Sequence, residues 1–464
     1  MNFRLSGLLA PAIAELAVYT FVGCAGTARR AGAGKPSAAD AAPVRTASTG
    51  IMDASATYRA GGLVVHAGTL PFTGSVYYLP TTSPDSTLVL VTLSLANRAF
   101  TFAGDAHGQL AVFAVTLDFR QGPMLVTHAE TRRTIRVESV RESMRADESV
   151  VFERFVAIPP GAYTLVLSVR DEKSANAGAE QFAIEVPRID SGAVGGPIPV
   201  YGATSRRSSS ETPELIANPR ATAIFGRDSV VLMYVEAAGV HDGARVAVAV
   251  TDPRNGPVLA DTVALSGPRE LGSAIVGLPV ARLGPGRLTV TATVVGSPGS
   301  ASVPFFVTFG PELGAASYDE MLSYLRFFTS SDRLRALRDT APLLRAAAWT
   351  SFWKATDPNP STPAHEGLEE YFGRIRIANE RFREESGTGW LTDRGRVFVT
   401  LGDPDQIVDQ DAMRSGTHGQ AQLWVYQQRR LQLVFVDQTG FGRWRLTPAS
   451  EADFEHAAQQ VRVR

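Results

Sequence analysis

The 464-residue sequence is short of the residues that make several function classes easy to recognise. It has one cysteine, Cys24, which excludes an internal disulfide framework and any zinc or iron–sulfur site built on cysteines. It has three lysines, Lys35, Lys173 and Lys354, so arginine supplies nearly all of the 45 basic side chains. These face 46 acidic ones, and a net charge of -1 leaves no basic excess to neutralise nucleic-acid phosphates. Nucleic acid is therefore not an expected partner. Long apolar runs are scarce as well. Leu5 to Val22 comes nearest and is too short and interrupted for a good spanning helix. No Gly-x-Ser-x-Gly elbow occurs, and His418 and His456 have no evident nucleophile partner. His66, His107, His128 and His241 are scattered without a partner at metal-ligand spacing. Gly32 to Ser37 imitates a phosphate loop, but Arg29 replaces its first Gly, Pro36 follows the Lys and no strand precedes it. No cofactor and no metal site is implied.

What is present begins with an address. Arg4, the apolar stretch Leu5 to Val22 and the small residue Gly23 before Cys24 have the order of an export signal. Gly23-Cys24 resembles a bacterial lipobox, with Phe21 where Leu is usual and Glu15 inside the apolar region. Cys24 is then the lipid attachment residue, and several acyl chains at about 0.8 kcal/mol per buried methylene anchor stably. Ala25 carries no retention charge, which by analogy with other lipoproteins favours the outer membrane, a periplasmic location being the alternative. Residues 25–54 are rich in Ala, Gly, Ser and Thr with almost no large apolar side chain, the composition of a flexible tether.

From Tyr58 to Val186 short β-branched and aromatic runs alternate with turn residues, including Leu88 to Leu95, Leu110 to Phe119 and Ala162 to Val169. Seven such runs suit one immunoglobulin-like sandwich. Pro160-Gly161-Ala162-Tyr163-Thr164-Leu165 is echoed 125 residues later by Pro285-Gly286-Arg287-Leu288-Thr289-Val290. In both, Pro-Gly makes a turn into an alternating strand, which predicts a second sandwich unit. After Gly310 the period changes to that of helices, with apolar stripes at Tyr318, Leu322 and Leu325 and at Leu368, Tyr371, Phe372 and Ile375. Short strands are predicted next, at Arg396 to Leu401, Leu423 to Tyr426, Leu431 to Val436 and Arg443 to Leu446.

The fold class is thus multidomain, two all-β immunoglobulin-like sandwich units followed by an α+β module of helices and then a small antiparallel sheet. The chain divides into a signal (1–24), tether (25–54), first sandwich (55–188), linker or long loop (189–220), second sandwich (221–310), α+β module (311–450) and C-terminal tail (451–464).

Within the module, Gly389-Trp390-Leu391-Thr392-Asp393-Arg394-Gly395 resembles the GWxTD family of bacterial envelope proteins. The resemblance extends through Val397, Gly402, Pro404 and Asp405, and back to Phe352-Trp353, Asp357-Pro358, Glu366, Tyr371, Asn379 and Phe382. It reaches forward through Trp424 to Tyr426 and Phe435 to Gly440, covering about Tyr318 to Leu446. His365 stands where the family has Asn. The resemblance implies an exported or lipid-anchored protein with β-sandwich domains ahead of the module, and no established activity.

The candidate site residues are Trp390, Thr392, Asp393, Arg394, Gly395, Asp403 and Asp405. In a structural role, Trp390 anchors a helix-to-strand crossover, Thr392 and Asp393 accept backbone donors in a turn, Gly395 takes a positive φ, and Arg394 or Arg396 pairs with a helix carboxylate. In a chemical role, Asp393, Arg394, Asp403 and Asp405 line a pocket beside Trp390 and act as acid and base on a glycan. Asp403, Asp405, Asp409 and Asp411 could alternatively gather Ca²⁺, without the Gly and terminal Glu of an EF-hand. His365-Glu366 opens like a zinc-protease helix, but Glu369 replaces the second His. The expected function is a non-enzymatic binding or scaffold protein of the cell envelope that contacts a protein or envelope polymer. The alternative is a glycan-acting hydrolase.

Overall fold

A computed structural model describes residues 55–105, 108–139, 149–268, 270–309, 316–362, 365–384, 388–411 and 420–462. Cys24, the tether 25–54, His107 and His418 lie outside the described residues. Among those described, no helix is long and apolar enough to cross a membrane. The chain is mostly β-sheet before residue 310, followed by helices and a small antiparallel sheet.

The first β region pairs Val64–His66, Phe72–Pro80, Thr87–Ala96 and Ser149–Ile158 in one antiparallel sheet. A second sheet is built on Gly108–Gln121, flanked by Met124–Val137 and Gly161–Asp171. Alternation drives their meeting. Tyr163, Leu165, Leu167 and Val169 are buried while Thr164, Val166 and Ser168 between them are half-buried. Their apolar faces join those of Phe72, Leu93 and Phe152 from the first sheet in one core.

The second β region has a sheet ordered Glu214–Ala217, Val194–Thr204, Val230–Ala238 and Leu271–Pro279. Its companion runs Thr222–Ile224, Ser300–Thr308, Gly286–Val294, Arg245–Thr251 and Pro257–Ala264, with the first pair parallel. The Pro-Gly echo is real as turn chemistry: Gly161 and Gly286, at φ 148° and 121°, each open a strand. Residues 189–220 correct the expectation of a linker, because Val194–Thr204 is a central strand. Its small residues serve close packing. A Cβ on Gly195 would lie 2.8 Å from the Pro80 ring, and Ile198 and Val200 are buried on either side of Pro199.

The turn after that strand is fixed by a buried charge pair. Arg206 donates from Nε to Glu236 Oε1 at 2.8 Å and from Nη2 to Oε2 at 2.6 Å. Its Nη1 also donates to the carbonyls of Ser209 and Glu211 and its Nη2 to that of Pro80, while Tyr234 donates its hydroxyl to Glu236. Burial raises the Glu236 pKa, and the Arg206 charge opposes that rise. One guanidinium thereby holds the 206–211 turn, the second β region and the end of a first-region strand together.

The helices begin where their caps dictate. Ser317 and Glu320 form a capping box before Tyr318–Tyr324, Ser330 caps Ser331–Asp339, and Pro342 occupies the first turn of Pro342–Thr356. Helix Glu366–Arg381 follows and buries Leu368, Tyr371, Phe372, Ile375 and Ala378. The small sheet has the order Gln406–Asp411, Gln420–Tyr426, Leu431–Asp437, Arg445–Leu446. Residues 451–461 of the stretch read as a tail belong to helix Pro448–Val461, which buries Phe454 and Ala458.

The predicted strand Arg396 to Leu401 is a helix, Asp393–Leu401. Its Val, Phe and Thr content favours strands intrinsically, but Thr392 caps the segment and Val397 to Leu401 are all buried. Burial on every side erased the period that would have marked a helix. This part of the chain also shares one core with the second β region. Phe309 stacks on Trp349 with centroids 4.2 Å apart and planes 6° apart, and Trp353 packs on Phe225. Arg345 donates to Asp252 at 2.9 Å and covers the Tyr318 ring.

Candidate functional site

The motif is a backbone crossing. Helix Glu366–Arg381 leads into the single turn Gly389–Leu391, and helix Asp393–Leu401 follows at once. A Cβ on Gly389 would lie 2.8 Å from Asn379 Cα, and one on Gly395 would lie 2.8 Å from the carbonyl carbon of Gly389 and closer still to its oxygen. Three backbone segments therefore meet where only hydrogen fits. Gly395 is helical and not at positive φ, which corrects the expected reason for a glycine there.

Each motif side chain then locks the crossing. Trp390 is 3% exposed, stacks on Tyr324 at 5.1 Å and meets Phe327 edge-on. Its backbone N–H donates to Asn379 Oδ1 at 3.0 Å. Trp390 thus anchors a helix-to-helix crossover and not a helix-to-strand one. Thr392 Oγ1 accepts from the Gly395 N–H at 3.1 Å and donates to the Gly389 carbonyl at 2.7 Å. Asp393 Oδ2 accepts from the Leu446 N–H at 2.8 Å, tying the helix start to the last strand.

Arg394 lies between the rings of Phe382 and Trp444, at 5.5 and 4.8 Å. Its Nε is buried without a hydrogen bond. Burial lowers its pKa, while the carboxylates of Glu384, Asp437 and Asp409 oppose that shift. Arg396 makes the predicted helix pairing, donating to Glu451 at 2.7 Å and lying 3.5 Å from Asp393.

Each carboxylate has its own partner. Asp403 receives Arg381 at 2.8 Å, Asp405 accepts from the Gln427 N–H at 2.6 Å, and Asp409 accepts from Gln422 at 2.9 Å. The side chain of Asp411 lies outside the described residues. Among the described residues no group of three His, Cys, Asp or Glu could hold a metal ion. Asp393, Asp403 and Asp405 are each engaged by a different structural partner.

His365 is a helix cap. Its Nδ1 accepts from the Leu368 N–H at 3.1 Å, so Nε2 carries the proton and donates to Thr356 Oγ1 at 2.9 Å. An Asn side chain carries the same kinds of acceptor and donor. His66 and His128 are paired with Glu180 and Asp118 in the first β region.

Sequence reasoning missed an open groove of about 1110 Å³ between the turn Gln427 to Arg430 and helix Pro448–Val461. The signal available was Gln427-Gln428-Arg429-Arg430 between two strands, a polar turn of four large side chains.

Comparison with known proteins agrees with the motif. Residues 307–442 match the GWxTD domain family. No curated protein sequence matches the chain significantly. Among solved structures, the chain is similar to dimeric latent PorU from Porphyromonas gingivalis, at 14% identity, TM-score 0.23 and 51% coverage of this chain. It is also similar to trypsin-activated alpha-2-macroglobulin from Escherichia coli, at 12% identity, TM-score 0.19 and 53% coverage. The chain spans 20% and 17% of those two proteins. Stretches this distant carry no argument about activity. Residues 307–442 of this chain are a GWxTD domain.

Proposed function

We propose that this chain is a non-enzymatic binding or scaffold protein of the bacterial cell envelope, lipid-anchored through Cys24, whose GWxTD domain contacts an envelope protein or polymer. In this reading the two β regions are immunoglobulin-like sandwiches that present the domain, and residues 25–54 are the tether. The observation that supports binding over hydrolysis is the engagement of Asp393, Asp403 and Asp405 by three separate structural partners. A glycosidase needs two carboxyl groups facing one bond. The shared core with the second β region favours a rigid support over a freely moving catalytic unit.

The test uses the full chain. Crosslinking in native membranes should recover a reproducible partner, and Cys24→Ser should move the protein from the membrane to the soluble fraction. Turnover of peptidoglycan or a polysaccharide that Asp393→Asn abolishes would overturn the binding reading, and an unchanged membrane fraction for Cys24→Ser would overturn the lipid anchor.

A further inference from the structure

We propose that the groove between the turn Gln427 to Arg430 and helix Pro448–Val461 is a binding site for a carboxylate-bearing glycan chain. This rests on the binding reading above and names its ligand class. The groove has a volume of about 1110 Å³, and its polar lining includes Arg429, Arg430, Gln432, Asp453, His456 and Gln460.

Its cations are available. Arg429 and Arg430 are exposed and have no ion pair among the described residues, whereas Arg374, Arg381, Arg396 and Arg445 of the same region are matched to carboxylates. The turn that carries them is fixed by Arg429 N–H to the Tyr426 carbonyl and Arg430 N–H to the Gln427 carbonyl, with Arg430 at φ 51°. Two guanidiniums on a fixed turn match carboxylates on a repeating polymer, because planar forks bind carboxylates in defined geometry.

The rest of the lining suits hydroxyls. Gln460 lies 3.1 Å from His456 Nε2, and when its amide donates there its Oε1 is left to accept from a ligand. Gln432 supplies a further amide, and Asp453 is the one carboxylate of the lining, able to take a pair of sugar hydroxyls. A protein partner fits less well, since the apolar lining is limited to Val425, Leu431 and Ala457 and the one aromatic, Tyr426, is buried with its hydroxyl on the Gly402 carbonyl. Protein interfaces depend on exposed aromatic or aliphatic anchors.

Affinity electrophoresis of the full chain at low salt, with polygalacturonate, poly-L-glutamate or dextran in the gel, tests this. Polygalacturonate should retard the protein, with poly-L-glutamate about ten-fold weaker and dextran without effect. The variant Arg429→Ser with Arg430→Gly should weaken polygalacturonate binding about ten-fold or more, with an unchanged unfolding midpoint because both residues are exposed and glycine suits position 430. Gln432→Leu with Gln460→Leu should weaken polygalacturonate and spare the residual poly-L-glutamate binding. Absence of retardation by polygalacturonate, equal binding of poly-L-glutamate, or undiminished binding by the arginine variant would each overturn the proposal. Such a failure beside a reproducible crosslinked partner would discard the groove and leave the binding reading standing.

Discussion

Replacing Gly395 by alanine probes the packing on which the GWxTD motif depends. The added Cβ would crowd the Gly389 carbonyl group, its oxygen nearest and its carbon at 2.8 Å, and Trp390 Cα at 2.9 Å, so it would lie at least about 0.5 Å inside the 3.4 Å of ordinary van der Waals contact. Both obstacles are backbone, so no rotamer relieves the clash, and helix Asp393–Leu401 must move away from the Gly389 turn. Overpacking against unyielding atoms costs about 3 kcal/mol. If the motion also opens the Thr392 cap, a further loss of about 1 kcal/mol follows. The expected destabilisation is therefore about 3–4 kcal/mol, read as a lower urea midpoint at unchanged slope. Gly373→Ala supplies the control, because a Cβ there meets nothing within 4 Å and the residue lies inside helix Glu366–Arg381. That substitution should stabilise by up to about 1 kcal/mol through helix propensity and unfolded-chain entropy. If Gly395→Ala fell within 1 kcal/mol of the unsubstituted protein, or moved the midpoint in the same direction as Gly373→Ala, the backbone-crossing account would be wrong.

Three further outcomes follow from the packing. Burial lowers the His365 pKa, so the folded protein resists the proton that the unfolded chain accepts. Stability from this residue is complete above the unfolded pKa of about 6.5 and declines as pH falls below it; His365→Asn should keep the cap and flatten a urea-midpoint profile between pH 7 and 5. Arg206→Met leaves Glu236 buried and unpaired and should cost about 3–5 kcal/mol, whereas Arg206→Met with Glu236→Leu should recover most of that loss in thermal unfolding. A fragment of residues 316–464 loses Phe309 and Phe225 from against Trp349 and Trp353, so it should lack a cooperative calorimetric transition; a sharp transition near that of the full chain would contradict the shared core.

Much of this was legible locally. Alternation in Ala162 to Val169 and the stripe at Leu368, Tyr371, Phe372 and Ile375 mark their elements because each has one wet and one dry side. The motif itself was visible as a run of residues, and the resemblance it carries is matched over residues 307–442. The strand reading of Arg396 to Leu401 failed where the segment is buried all round, since periodicity needs a solvent face to exist. The linker reading of 189–220 failed because Gly and Pro mark close packing as readily as looseness, and only the neighbour, here Pro80, decides between them.

By itself the sequence determined the order of β-rich and helical regions and the presence of a GWxTD motif, because these depend on contacts a few residues apart. The tertiary structure decided what the motif residues do. Asp393 finds Leu446, Asp403 finds Arg381 and Asp405 finds Gln427 across separations that spacing cannot reveal, and these pairings turn a cluster of acids in the sequence into separate structural ties. The same long-range packing set the turn at Arg429 and Arg430 beside the C-terminal helix, leaving a groove that no short stretch of chain contains.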